Sequence, residues 1–221
     1  MSLDPRDIEV EDVRYEGDKR IYVIEGDDYY SVTSKLGDTV KKGEQFYRYL
    51  ASADSYEDTQ KTMKKAGKRG TKVHDYCEKL AKGEDIDMTG EPEDVISMVQ
   101  GFKNWCDEYD PTIIDTEFVV FCEEFRYAGR VDLMAEIDGK RHLIDHKTSS
   151  GIYDKHKVQL MFYRYGLEEG GVGVDELNIL HLKENTKKGY CFKSIDYWPE
   201  MVRAHNDIFD WQNRDEVIKI D

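Results

Sequence analysis

The 221-residue chain predicts an α/β protein organised around a central mixed β-sheet flanked by helices, and three observations carry that expectation. Strand-length runs rich in β-branched and aromatic residues follow one another at 112–122, 126–137 and 140–148. Apolar residues recur at helical spacing on either side of them, at 71–82, 92–109 and 155–168. Two more strand-like runs, at 177–183 and 190–195, come only after the last of those helices. The order helix, three strands, helix, strand fits a layered α/β sheet.

Taken in order, residues 20–33 read as a hairpin turning at 25–28, after which Ser31 or Ser34 caps a short helix. From 41 to 65 the pattern is helical but polar, and Gly67 and Gly70 punctuate it. In 71–82 the residues Val73, Cys77, Leu80 and Ala81 form one stripe, with His74 and Glu78 one turn apart beside it. The helix at 92–109 places Pro92 in its first turn and buries Val95, Val99, Phe102, Trp105 and Cys106. In the strand at 126–137, Val131, Leu133, Ala135 and Ile137 form the apolar face, leaving Arg130, Asp132, Met134 and Glu136 on the other. Gly170 and Gly171 stop the helix at 155–168, a polar turn at 184–189 joins the last two strands, and a helix from 199 to 213 precedes an acidic tail. With no repeat or low-complexity linker, one domain is expected over 1–221: an N-terminal hairpin and helical extension to about 68, a core over about 69–196, and a C-terminal helix and tail from about 197.

Apolar residues make up 39% and charged residues 36%, which fits a globular chain and not a disordered one. No apolar run approaches the roughly 20 residues a bilayer span needs, and 1–7 lacks a signal-peptide pattern, so a cytoplasmic protein, of a prokaryotic cell or a virus-infected host, is expected. Cys77, Cys106, Cys122 and Cys191 are widely separated, which suits buried thiols and no iron–sulfur cluster. The net charge of −15 argues at first against a polyanionic partner. Local charge differs, because Lys61, Lys64, Lys65, Lys68, Arg69 and Lys72 fall in one stretch without an acid. Smaller groups are Lys147, Lys155, His156 and Lys157, and Lys183, Lys187 and Lys188; each such run is either a solvated face or a contact for phosphates.

Asp138-Gly139 divides the second and third strands, and this dipeptide favours two-residue hairpin loops because both positions tolerate positive φ. With those two residues as the loop, Ile137 pairs with Lys140 and Asp132 falls directly opposite Asp145. Facing partners have Cβ atoms about 5 Å apart, and Lys147, two residues on, returns to the same face. Like charges so placed destabilise a sheet unless a cation compensates. Mg²⁺ or Mn²⁺, which prefer carboxylate, carbonyl and water oxygens, answers that need, with the backbone carbonyl of His146 as a further ligand. Carboxylates, metal and lysine together supply what phosphodiester hydrolysis requires.

These residues resemble the PD-(D/E)XK nuclease superfamily, in particular its RecB-like branch of phage and mitochondrial single-strand exonucleases. Gly129-Arg130-Val131-Asp132 matches the first metal aspartate, Asp145-His146-Lys147-Thr148-Ser149 the D-x-K signature, and Gln159 with Tyr163 the downstream helix motif. His74 looks like the branch's upstream histidine ligand, and Tyr30-Ser31-Val32-Thr33 resembles the start of the phage and mitochondrial members, with Tyr30 in place of proline. Glu117 occupies the place of an acid that precedes the hairpin in relatives, although Asp115, Glu123 and Glu124 lie close and register decides among them.

The resemblance implies a restriction-endonuclease-like core, αβββαβ, and a Mg²⁺- or Mn²⁺-dependent deoxyribonuclease of replication, recombination or repair. Asp132, Asp145, Lys147, Gln159 and Tyr163 would be catalytic, with Gln159 placing a phosphate or the lysine and Tyr163 contacting nucleic acid. His74, Asp132, Asp145, the His146 carbonyl and Glu117 would hold the metal. DNA, single-stranded or at duplex ends, would lie along Lys61, Lys64, Lys65, Lys68, Arg69, Lys72, Arg130 and Lys157, with Phe46 and Tyr47 stacking bases. A replication or recombination protein is a further expected partner. An exonuclease is the leading expectation; a structure-specific or restriction-type endonuclease and a non-catalytic DNA- or partner-binding module are the alternatives.

Overall fold

A computed structural model describes residues 8–184 and 186–217, so the first seven residues and the last four of the expected tail lie outside it, while 214–217 continue the C-terminal helix. Three short strands open the chain, β1 (Asp12–Glu16), β2 (Lys19–Ile24) and β3 (Asp27–Ser31). Glu25 and Gly26 between β2 and β3 both take positive φ, 53° and 80°, the geometry of a two-residue hairpin loop. The Ser31 side chain accepts from the Ser34 N–H and so caps α1 (Val32–Thr39). β1, which pairs with β2 in antiparallel fashion, goes beyond the expected hairpin.

Two helices follow, α2 (Glu44–Ser52) and α3 (Tyr56–Ala81). The expected break at Gly67 and Gly70 does not occur, and α3 runs through both as 26 residues. Packing explains Gly70: a Cβ there would meet Thr148 Oγ1 at 3.1 Å, so the missing side chain lets α3 lie against the end of the third hairpin strand. Arg69 fixes the same contact, its Nη2 donating to the Thr148 carbonyl at 3.2 Å. The N-terminal half of α3 buries little beyond Thr59, whereas Val73 and Cys77 anchor its C-terminal half. α4 (Glu93–Tyr109) begins with Pro92 as its N-cap and ends at Asp110 in a left-handed conformation.

The core strands are β4 (Thr112–Cys122), β5 (Tyr127–Ile137), β6 (Lys140–Lys147), β7 (Glu176–Leu182) and β8 (Tyr190–Ile195), with α5 (Asp154–Glu169) between β6 and β7 and α6 (Pro199–Val217) last. The helices α3 and α4, the strands β4 to β6, α5 and β7 reproduce the expected αβββαβ order within a mixed sheet. β4 pairs with β5, β5 with β6, and β7 with β8 in antiparallel fashion, while β6 with β7 and β3 with β5 are parallel.

Two apolar layers cover the sheet. Phe102, Trp105, Val99 and Met98 of α4 pack with Val73 and Cys77 on one side, and Leu160, Phe162 and Leu167 of α5 pack with α1 and Val202 of α6 on the other. β5 does not keep the simple alternation expected of it. Leu133, Ala135 and Ile137 join the α3–α4 layer, but Val131 joins the α5 layer together with Met134. The change of side falls between Val131 and Leu133, opposite Glu117, whose φ is +52°; the β4–β5 register is the same on both sides of it, and the bulge in that pair lies at Ile113/Asp115. On its other edge β5 pairs with β6 over 133–137 and with β3 only at Tyr127 and Ala128, so the sheet forks beside residues 129–132.

Candidate active site

Asp138 and Gly139 form the expected hairpin loop, with φ of 51° and 73°, and Ile137 pairs with Lys140. The register continues to Leu133↔Ile144, which brings Asp132 and Asp145 opposite each other at the fork. Both are buried, Asp132 9% and Asp145 1% exposed. Asp132 Oδ2 accepts the His146 backbone N–H at 2.6 Å, and Asp132 Oδ1 lies 3.4 Å from His74 Nδ1 on α3. Asp145 Oδ2 accepts no well-aligned hydrogen bond; Lys147 Nζ stands 2.5 Å from it as an ion pair.

Helix α5 supports that lysine from the other side. Lys147 Nζ donates to Gln159 Oε1 at 3.3 Å, and Gln159 Nε2 donates to Tyr163 Oη at 2.7 Å. The i, i+4 spacing places both side chains on one helix face, and Gly129 makes room for them: a Cβ there would meet Tyr163 Cε1 at 2.4 Å. Tyr163 is 2% exposed, so the expected contact of its hydroxyl with nucleic acid is corrected: burial under β5 makes it a prop for Gln159.

The charges here act on one another at close range. Burial penalises the ionised Asp132, but the charge and hydrogen bonding of His74, with His146 and Lys147 adding to them, hold its carboxyl well below the usual range. Burial drives Asp145 the other way, and the neighbouring Asp132 reinforces that rise against the opposing Lys147. His74 loses basicity to burial, yet Asp132 more than restores it and lifts the imidazole to about 9. Two carboxylates, with Asp145 Oδ2 held by the Lys147 ammonium alone and His146 Nε2 left without a hydrogen bond, form a donor set that a divalent cation would complete.

Glu117 is the β4 acid standing opposite Asp132, half-buried, with Arg130 Nη1 3.9 Å from its Oε2. Burial first and Asp132 second push its carboxyl up to about 7. Asp115 instead pairs with Met134, and Glu123 and Glu124 accept no role here, their N–H groups binding Glu169 at the far end of the strand. Lys61, Lys64, Lys65 and Lys68 project from the exposed half of α3. Arg69 does not belong with them: it is half-buried and tied to Asp94 at 3.3 Å and to Thr148. Lys72 pairs with Glu91 at 2.5 Å and Lys157 with Asp154 at 2.7 Å, while Arg130 is largely exposed. Tyr47 is 51% exposed on α2, and Lys42 lies over the Phe46 ring.

One participant went unread in the sequence. Alternation along β6 sends the His146 side chain away from Asp145 and Lys147, and only its carbonyl was expected at the site. Its imidazole, 3% exposed, instead joins His74 and Asp132 in the one group of metal-ligating side chains, among the described residues, whose donor atoms lie within 4.8 Å of one another. The carboxylate at which the two imidazoles meet is Asp132, where β5 changes sides, and no residue pattern announces it.

A buried carboxylate pair and a lysine held by Gln159 thus stand together at a fork in a mixed α/β sheet. The chain belongs to the PD-(D/E)XK nuclease superfamily, whose family model matches residues 88–214. Nucleases of this superfamily generally use divalent metal ions. Among solved structures, SSO0001 is similar at 16% identity and a TM-score of 0.36, over 52% of this chain and 56% of that one, so the chain spans about half of that relative. The alkaline exonuclease LHK-Exo of Laribacter hongkongensis aligns over 85% of this chain and 88% of its own, at 9% identity and a TM-score of 0.45. Its complex with dAMP aligns over 85% and 92%, at 9% identity and a TM-score of 0.41. No curated protein matches the chain.

Proposed function

We propose that the protein is a Mg²⁺- or Mn²⁺-dependent deoxyribonuclease, an exonuclease acting on single-stranded DNA or duplex ends in replication, recombination or repair. The observation that carries this reading is the union of Asp132, Asp145 and Lys147 at the sheet fork, with Lys147 held by both Asp145 and Gln159. Asp132, Asp145 and His74 would hold the cation, with the His146 carbonyl and Glu117 as further candidates. Bound there, the cation would polarise a phosphoryl oxygen and lower the pKa of its water.

Each protein side chain has a separate task. The Lys147 ammonium lies beside Asp145, where it can orient a water and offset charge developing on the phosphate. Gln159 fixes the lysine and Tyr163 fixes Gln159, so a part-buried and a buried hydrogen bond in series help set the position of one cation. Arg130 and the lysines on the exposed half of α3 offer phosphate contacts, and Tyr47 offers a ring to a base. The exonuclease assignment rests on the resemblance of the ordered set His74, Asp132, Asp145-His146-Lys147, Gln159 and Tyr163 to RecB-like exonucleases. We take residues 1–221 as one nuclease unit of the cytoplasm that works with a recombination or replication partner; no described helix is long and apolar enough to cross a membrane.

Linear and covalently closed circular DNA, each incubated with Mg²⁺, Mn²⁺ or EDTA, test the reading. Shortening of linear DNA from its ends with either ion, and none in EDTA, is expected. Cutting of closed circles would replace the exonuclease with an endonuclease, and DNA binding without cleavage would leave a binding module.

A further inference from the structure

His146 occupies the middle position of the D-x-K signature, and its imidazole is enclosed. It is 3% exposed, with the Phe102 ring centroid 5.4 Å away and the His74 ring centroid 5.7 Å away. Its Nε2 has no hydrogen-bond partner, although a buried polar nitrogen left unpaired is costly. Nearby stand the donor atoms of His74 and Asp132, and the three residues' donors lie within 4.8 Å of one another. Ligand atoms around a four- to six-coordinate ion bonded at about 2.1 Å are separated by about 3–3.5 Å, so small side-chain rotations close this set on one ion. The backbone is already fixed for it: the His146 N–H holds Asp132 Oδ2 at 2.6 Å, Val73 and Cys77 anchor the turn of α3 that carries His74, and Arg69 and Gly70 dock that helix on Thr148.

We propose that His74, Asp132 and His146 form a two-imidazole, one-carboxylate metal site in which the His146 side chain is a ligand, selecting a transition ion, Co²⁺ above all and Mn²⁺ to a lesser degree, over Mg²⁺. Imidazole nitrogen tightens binding along the order Mn²⁺, Fe²⁺, Co²⁺, and Mn²⁺, although it prefers oxygen, accepts nitrogen more readily than Mg²⁺, which keeps most of its water. Asp145, paired to Lys147, stands outside the compact trio, so two of its three donors are nitrogen. The site deepens the metal-dependent reading above, and its occupancy can be measured without any cleavage.

The test uses the metal-stripped full chain, titrated calorimetrically with Mg²⁺, Mn²⁺ and Co²⁺, together with pulsed electron paramagnetic resonance of the Mn²⁺ form to count coupled imidazole nitrogens. Expected are two imidazoles in the wild type, at least about tenfold tighter binding of Mn²⁺ than of Mg²⁺, and tighter binding still of Co²⁺. His146→Ala should leave one coupled imidazole and weaken Co²⁺ at least about tenfold, with Mg²⁺ changed by less than about threefold. His146→Gln, which keeps a polar group of similar size, should behave alike if the alanine variant fails to fold. A single coupled imidazole in the wild type, or equal affinities for the three ions, would overturn the proposal. Cleavage with only one imidazole bound would end this proposal and spare the nuclease, whereas two imidazoles without cleavage would do the reverse.

Discussion

The backbone N–H of His146 donates to the Asp132 carboxylate at 2.6 Å, so the strand that carries the D-x-K signature also holds the first aspartate in place. A side chain of β5 thereby takes a bond from β6 beside the opening of the fork. Removing the acceptor's charge while keeping its shape separates this structural job from the electrostatic one. Asp132→Asn is expected to abolish cleavage, at least about a hundredfold in rate, with little loss of thermal stability, because the amide oxygen still accepts the bond. Comparing turnover with melting temperature checks both halves.

Gly129 and Tyr163 are in contact through a missing side chain. Gly129→Ala places a Cβ 2.4 Å from Tyr163 Cε1, and a ring 2% exposed has nowhere easy to go. A stability loss of about 1–3 kcal/mol is expected from overpacking. Movement of Tyr163 shifts Gln159 and hence Lys147, so kcat should fall while KM for DNA stays within about threefold. Tyr163→Phe, which loses only the bond to Gln159, should cost about 1 kcal/mol and lower kcat less than Gly129→Ala. Urea denaturation and steady-state kinetics of the two variants decide the matter.

Lys35, 1% exposed on α1, donates to the Phe125 carbonyl and to Asn206 Oδ1, each at 2.8 Å. Burial lowers its ammonium to about 8, against the weaker opposing pull of Asp210. The sign follows from proton counts. Below about 8 both folded and unfolded chains are protonated there and the full burial cost is present; between about 8 and 10.4 the unfolded chain holds more proton, so this residue's contribution to stability rises with pH. The wild type minus Lys35→Met difference in unfolding free energy should therefore rise from pH 7.5 to pH 10, by about 2 kcal/mol. A flat difference would contradict the burial account.

The exposed half of α3 carries Lys64, Lys65 and Lys68 away from the core. Replacing all three with alanine should weaken single-stranded DNA binding and reduce the log–log salt slope by about 0.7 for each phosphate that a lysine no longer neutralises, with cleavage at saturating DNA within about threefold. Fluorescence anisotropy across a salt series reads the slope. An unchanged slope would return these lysines to a solvated surface.

Sequence patterning revealed much of this molecule because its devices are local. Asp138-Gly139 set the β5–β6 register and with it the facing of Asp132 and Asp145, and the i, i+4 spacing paired Gln159 with Tyr163. What escaped depends on tertiary contact. Gly70 looks like a helix breaker until Thr148 is seen against it, and Arg69 reads as a free cation until Asp94 and Thr148 claim it. The His146 imidazole was hidden for a similar reason: strict alternation separates it from Asp145, and the carboxylate it does meet is Asp132, where β5 changes sides. Strand periodicity makes no provision for a residue at which the strand changes sides.

Lys147, held by Gln159 and Asp145 beside the carboxylate of Asp132, is the residue on which the proposed phosphodiester cleavage depends. End-labelled single- and double-stranded DNA incubated with Mg²⁺, Mn²⁺ or EDTA, using wild type and Lys147→Ala, tests it most directly. The account predicts cleavage by the wild type with metal, none in EDTA, and a loss of at least about a hundredfold in the variant while DNA binding persists. Equal cleavage by Lys147→Ala, or wild-type cleavage in EDTA, would contradict it.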